Sequence, residues 1–336
     1  MAATATAAAA SPQSIRTRFL IISDTHNATP QSWSDLTCAF RHPLPAADVA
    51  IHCGDLTYSG RLEEYAAAIE TLASVDAELK LVIAGNHDMS LDAEYYAERG
   101  ALRHGRRFDP ELPSKARDMW LGPEGAARRA GITYLEEGMH RFRLKSGARL
   151  NVYASPYQPE FCYWAFPYQR DEDRFNPAPA EPDPSIKNIA TNPVPDFPEV
   201  DVMMTHGPPL YHLDRTVSLE DVGCAHLLRA AARARPRLHC FGHIHEGWGA
   251  ERVKWANGTK GLDLVARTDK FQWNQDAVLQ NRAAHVNVSS TESLSSLEFG
   301  RETLMVNASI MSVRYKPVNA PWLIDLDLPA AGEQKE

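Results

Sequence analysis

No run of 18 apolar residues occurs in this chain of 336, so no membrane-spanning helix is expected. Cys-x-x-Cys spacing is absent too. The five cysteines (Cys38, Cys53, Cys162, Cys224 and Cys240) are scattered and odd in number, which points to reduced thiols and a cytoplasmic home. Positive charge is not in excess: the net charge of −8 argues against a partner such as duplex nucleic acid. There is no Gly-rich phosphate loop of the Walker type, so chemistry driven by nucleoside triphosphates is not indicated. Residues 1–10 are almost all Ala and Thr. They lack the basic and strongly apolar regions of a secretory signal. No acidic residue precedes Asp24, which keeps a mitochondrial presequence open as an alternative, although the first arginine is Arg16. The favoured reading is a disordered leader over residues 1–16.

What is present is a core and a repeated text. Hydrophobic residues make up 44% of the chain, enough for a sizeable interior. Five apolar runs each stop at Gly, Ser or Thr and then at a residue able to bind a metal. They are Phe19-Leu-Ile-Ile-Ser-Asp24-Thr-His26, Val49-Ala-Ile-His-Cys-Gly54-Asp55, Leu81-Val-Ile-Ala-Gly85-Asn86-His87-Asp88, Val202-Met-Met-Thr-His206 and His239-Cys-Phe-Gly242-His243-Ile-His245. Such runs read as buried strands, and ligands gather at the carboxyl ends of strands in α/β sheets. Asp24 to Asp55 and Asp55 to Asn86 are each 31 residues, the length of a strand–helix–strand unit. A helix is predicted over residues 61–75, with Leu62, Tyr65, Ala66, Ile69 and Leu72 on one face. A short helix is predicted over 92–99 and another over 218–235, closed by Pro236. Further strands are predicted over 149–155, 238–241, 304–306 and 322–326. The pattern implies one α/β domain with a parallel core over residues 17–328, followed by a tail over 329–336. Two insertions interrupt it. Residues 168–198 carry seven prolines between Pro177 and Pro198 and read as a loop or extended segment. Residues 252–301 are polar and Ser-rich, and read as a peripheral surface loop or lid.

Chemistry follows from residue types. In an extended chain Asp24 and His26 would point the same way. A carboxylate beside an imidazole suits Mn, Fe or Zn, with Mg as a further option. Asp55 has two oxygens and can bridge two cations. Asn86 offers a neutral oxygen. His87 is then placed to meet the substrate, with Asp88 fixing its tautomer and raising its pKa. His206, His243 and His245 add imidazoles. A turn aspartate, or a lone structural histidine, would explain any one segment, but not five in a consistent pattern. Trp164 and Phe166 either line a substrate pocket or pack in the core. His52, His140, His212 and His226 have no partner spacing and read as ordinary surface or core histidines.

This set of segments resembles the calcineurin-like metallophosphoesterase superfamily in order, spacing and strand context. Ala154-Ser-Pro-Tyr-Gln-Pro159, Thr205-His-Gly-Pro-Pro209, Gly242-His-Ile-His-Glu-Gly247 and Val306-Asn-Ala-Ser309 with Lys316-Pro-Val-Asn319 are similar to the branch called metallophosphoesterase-domain-containing proteins. The resemblance implies a four-layer αββα sandwich of two mixed β-sheets flanked by helices. It implies that Asp24, His26, Asp55 and His245 hold one divalent ion and that Asp55, Asn86, His206 and His243 hold a second. Two such ions share a water, lower its pKa and direct it in line at phosphorus, while His87 protonates the leaving group. The implied activity is phosphodiester hydrolysis on a small substrate, such as a cyclic nucleotide. The alternatives are a phosphomonoesterase or protein phosphatase, and a nucleotide-binding scaffold with little turnover.

Overall fold

A computed structural model describes residues 14–181, 183–256, 264–290 and 296–331. Most of the expected leader (residues 1–13), part of the Ser-rich run (291–295) and the end of the tail (332–336) lie outside the described residues. Among the described residues no helix is long and apolar enough to cross a membrane.

Among the described residues thirteen strands build two sheets. They are β1 (Ser14–Ile22), β2 (Ala47–His52), β3 (Ala77–Val82), β4 (Ile132–Tyr134), β5 (Gly138–Arg143), β6 (Arg149–Ser155), β7 (Val202–Thr205), β8 (Leu238–Phe241), β9 (Gly249–Trp255), β10 (Val265–Lys270), β11 (Ala284–Asn287), β12 (Glu302–Asn307) and β13 (Trp322–Pro329). The first sheet has the order β11-β13-β1-β2-β3-β4, and the second β10-β9-β12-β8-β7-β6-β5. β1 to β4 run parallel, as do β6, β7, β8 and β12. The helices are α1 (Leu62–Ala73), α2 (Ala93–His104), α3 (Leu112–Leu121), α4 (Ala126–Arg129), α5 (Ala225–Ala234) and α6 (Gln275–Asn281).

Why the apolar runs are unbroken is visible in β1. Phe19 and Ile21 pack between the sheets with Val152, Met204 and Val306, while Leu20 and Ile22 face the helical layer with Ile69, Leu72 and Trp120. On the far side Met203, Phe241 and Met305 meet Leu227, Leu228 and Ala231 of α5. Strands buried on both faces need apolar residues at every position. The result is the four-layer αββα sandwich.

The structure corrects several expectations. No helix joins β1 to β2. In that stretch Thr37 bonds Asp35 through both its backbone N and its hydroxyl, and Ser34 bonds Ser32; such local bonds compete with a helix. The helix expected over 218–235 begins only at Ala225. Gly223 lies against the Pro209 carbonyl, and Arg215 pairs with Asp221 in a turn before it. β1 starts at Ser14, paired with Pro329, so residues 14–16 belong to the sheet and not to a leader.

The largest correction concerns residues 252–301. They are not a peripheral loop. β9 pairs antiparallel with β12, β10 extends that edge, and β11 pairs parallel with β13 in the other sheet. Val253, Val278, Ala284, Val286 and Val288 are buried. These strands are short and separated by polar text, so no long apolar period marks them. Among the described residues of 168–198, Tyr168, Phe175 and Val194 are anchored in the core.

Candidate metal centre

The carboxyl ends of β1, β2, β3, β7 and β8 meet at one end of the seam between the sheets. They bring Asp24, His26, Asp55, Asn86, His206, His243 and His245 together. Nε2 of His26 lies 3.4 Å from Asp55 Oδ2 and 3.4 Å from His245 Nε2. Nε2 of His206 lies 3.5 Å from Asp55 Oδ1 and 2.8 Å from Asn86 Oδ1. Asp24 Oδ1 is 3.4 Å from His245 Nε2, and the rings of His206 and His243 are 5.0 Å apart.

The turns that present these groups are contorted, not extended. Asp24, His26, Asp55 and His243 have φ of 49°, 40°, 53° and 65°, a region non-glycine residues seldom occupy. The spacing of Asp24 and His26 therefore works through a left-handed turn and not through strand alternation. Close approach requires the glycines. A Cβ on Gly242 would fall on Asp24 Oδ2, and one on Gly85 would collide with the Asp55 backbone nitrogen.

Backbone groups set the chemical state of each donor. His26, His206 and His245 place Nδ1 against the carbonyls of Thr57, Cys53 and Ser312, at 3.1, 2.9 and 3.1 Å. A neutral imidazole that donates Nδ1–H in this way keeps the Nε2 lone pair for the pocket. Asp55 Oδ1 accepts from the His87 amide at 2.8 Å, and Asp24 accepts from the His243 amide and from Ser309 Oγ.

Burial pushes the Asp55 carboxyl well above its usual range, and the neighbouring Asp24 and Asp88 add to that. Burial also raises Asp24, but the bond and charge of His245 outweigh it and hold this carboxyl low. Burial lowers His26, His206 and His243, the last to about 3. His245 is raised: burial lowers it, but its contact with Asp24 prevails. Three imidazoles kept neutral by burial, with His245 against Asp24, surround two buried acidic groups and form a donor set rich in lone pairs and poor in positive charge. Two triads, Asp24/His26/His245 and Asp24/Asp55/His206, have donor atoms within 4.8 Å of one another. The residues present fit divalent cations.

The chain belongs to a known family on independent grounds. The profile of the calcineurin-like phosphoesterases matches residues 17–247. This chain is a calcineurin-like metallophosphoesterase. It is similar to metallophosphoesterase domain-containing protein 1 of Homo sapiens, at 30% identity over 318 residues that cover 93% of this chain and 72% of that protein. The Mus musculus protein of that name matches to the same extent. A probable rhamnogalacturonate lyase C of Emericella nidulans is 32% identical over 260 residues, 76% of this chain but 20% of that much longer protein. The phosphoesterase is thus a metal-dependent phosphoester hydrolase.

Around its centre the metallophosphoesterase forms a cleft of about 370 Å³, walled by Pro159, Phe161, Trp164, Val222, Val313 and Tyr315. His87 lies in it, 7% exposed. Asp88 does not orient that imidazole, contrary to expectation. Its carboxylate accepts from the amides of Gly85, Leu56 and Thr57 and from Thr57 Oγ1, and so ties the β2 turn to the β3 turn. The partner of His87 Nδ1 is instead the Tyr58 carbonyl, at 2.8 Å. Nor is the His87 pKa raised: burial takes it down to about 4. Trp164 lines the cleft, whereas Phe166 is buried beside Ala84 and Met89. Sequence reasoning missed Ser309 and Tyr315. Ser309 follows an apolar strand, as the ligands do, and that signal would have found it. Tyr315 sits on a loop whose text carries no comparable mark.

Proposed function

We propose that the enzyme is a phosphodiesterase for a small substrate. The observation that carries this reading is the charge of the cleft. Apart from histidines, Arg170 is its one cationic lining residue among the described residues, and that guanidinium bonds the carbonyls of Val222 and Gly223. A monoester dianion would meet little added positive charge; a diester carries one negative charge and suits apolar walls. Phe161 and Tyr315 favour a flat ring on the substrate, as in a cyclic nucleotide. In this reading Asp24, His26, Asp55 and His245 hold one ion; Asp55, Asn86, His206 and His243 hold the other, with Asp55 common to both. When bound, divalent ions supply Lewis acidity and a water of lowered pKa.

The residues of the chain do the rest. Carbonyl-bonded Nδ1 atoms hold three imidazoles in one tautomer. The His87 amide fixes the Asp55 carboxylate. Burial favours the neutral His87 ring, and an arriving phosphate anion favours its protonated form. It then gives that proton to the departing oxygen. Asn86 and His87 both face the substrate. Five free thiols fit a reducing compartment such as the cytoplasm.

Loaded with Mn²⁺, the protein is expected to turn over bis-p-nitrophenyl phosphate faster than p-nitrophenyl phosphate. Preference for the monoester would overturn the diester reading. A second role for His87 has one observation in its favour, since it also forms a triad with His26 and Asp55 within 4.8 Å. His87→Ala decides between the two. A proton donor leaves metal content unchanged and costs ~10²–10⁴ in rate on poor leaving groups, with less on nitrophenolate. A ligand loses metal.

A further inference from the structure

Residues 161–166 (Phe-Cys-Tyr-Trp-Ala-Phe) reach the cleft on a contorted backbone. Cys162, Tyr163 and Phe166 have φ of 51°, 55° and 55°. Bulky residues persist in this region only where surrounding contacts impose it, and such places are often functional.

The contacts are present, and most come from α2. Arg103 Nη2 donates to the carbonyls of Cys162 and Tyr163, at 2.9 and 2.7 Å. The Tyr95 hydroxyl donates to the same Tyr163 carbonyl at 2.8 Å, and itself accepts from Arg103 Nε. The Phe166 amide donates to Asp92 Oδ2, the N-cap residue of α2, at 2.8 Å. Gln158 Nε2 donates to the Ala165 carbonyl.

What this clamp delivers is one side chain. The Trp164 indole stacks on the His87 imidazole, with centroids 3.9 Å apart and planes at 28°. The Arg103 guanidinium carbon lies 4.0 Å from the Trp164 ring centroid. Arg103, Trp164 and His87 form a three-layer stack. Tyr58 fixes the imidazole in its plane through Nδ1; Trp164 fixes its tilt. Nε2 then faces the cleft, 3.4 Å from the Tyr315 hydroxyl.

We propose that Trp164, backed by Arg103, is the positioning residue of His87: it holds the imidazole face so that Nε2 meets the leaving oxygen. An indole has no acceptor to bind a metal and no proton to give at neutral pH, so its effect passes through His87. The inference rests on the reading of His87 as proton donor.

The test uses the full-length protein. Trp164→Ala is expected to lower kcat on a diester with an alkyl leaving group by ~10²-fold, the usual cost of a misplaced group. On a nitrophenyl diester the loss should stay below about tenfold, with KM nearly constant. Trp164→Phe, which keeps a flat face, should recover most of the rate. Trp164→Ala combined with His87→Ala should be no slower than His87→Ala alone, since one acts through the other.

A readout without turnover is the imidazole Nδ1–H resonance of His87 in nitrogen-15 NMR. It should exchange slowly in the wild type and in Trp164→Phe, and quickly in Trp164→Ala. An unchanged resonance in Trp164→Ala overturns the proposal. So does a raised KM that persists in the His87→Ala background, which would make Trp164 a substrate contact. Equal loss of metal in both Trp164 variants would make its role merely structural. If His87→Ala alone leaves all rates unchanged, the donor reading fails, while the resonance still decides whether Trp164 orients the ring.

Discussion

Residues 24–88 and residues 252–301 contribute to the molecule in opposite ways. The first region holds four of the seven metal-ligand candidates and His87, all in turns after parallel strands. The second holds none of them, yet supplies strands to both sheets. Chemistry in this fold sits in a few residues at strand ends. Architecture is spread over pairings between distant strands. The two regions should therefore fail differently: changes in the first should silence turnover with little loss of folding, and changes in the second should unfold the chain.

The strongest way to break that contrast is to replace residues 265–290 with a short Gly-Ser linker. This removes β10, α6 and β11, uncovers Trp322 and Ile324, and takes Val278, Ala284 and Val286 out of the core. The variant is expected to lose its cooperative thermal transition by circular dichroism. A normal melt with both metals bound would restore the peripheral-loop reading. Next in size is Asp55→Ala, which removes the carboxylate proposed to be shared by two ions. Metal content should fall by at least one ion and turnover by at least ~10³-fold, the scale of a lost metal contribution. Elemental analysis and a diester assay check both, and a melt near that of the metal-free wild type would complete the contrast.

Smaller effects sharpen it. Val286 of β11 is 4% exposed, so Val286→Ala should cost about 2 kcal/mol and lower Tm by a few degrees. Its rate with saturating metal should match the wild type. The smallest effect concerns Asp325 in β13, which joins Arg16 and Arg18 of β1 to His285 of β11, each at 2.8 Å. Burial raises this carboxyl, but the bonds from His285, Arg18 and Arg16 outweigh it and hold its pKa below the ordinary value. A depressed carboxyl adds stability above its unfolded pKa of about 4, and that stability is lost as pH falls further. The wild type should therefore lose Tm more steeply than Asp325→Asn below about pH 4. Parallel curves would show that the cluster adds nothing.

The same contrast explains what was legible. Asp24, Asp55, Asn86, His206 and His243 could be read because each follows an apolar run that ends abruptly. The sandwich came from family resemblance, since periodicity alone reached only one parallel sheet. β11 could not be read, because Ala284-His-Val-Asn is too short to show a period and its partner, β13, comes only after β12 of the other sheet. Asp88 was misassigned because adjacency in sequence suggested contact. In the turn its carboxylate points back to the β2 loop. The orienting groups of His87, a Tyr58 carbonyl and the Trp164 face, are set by tertiary packing that no local text encodes.

The position of the centre on the seam between the sheets has a mechanical consequence. Asp24, Asp55 and Asn86 belong to one sheet; His206, His243 and His245 belong to the other. An ion held from both sides, as proposed, would act as a rivet, and any slippage of one sheet against the other would first have to release it. Binding free energy then becomes resistance to shear. Hydrogen exchange in β7 and β8 should slow together with that in β1 to β3 when metal is added, while the distant edge strand β10 keeps its own rate.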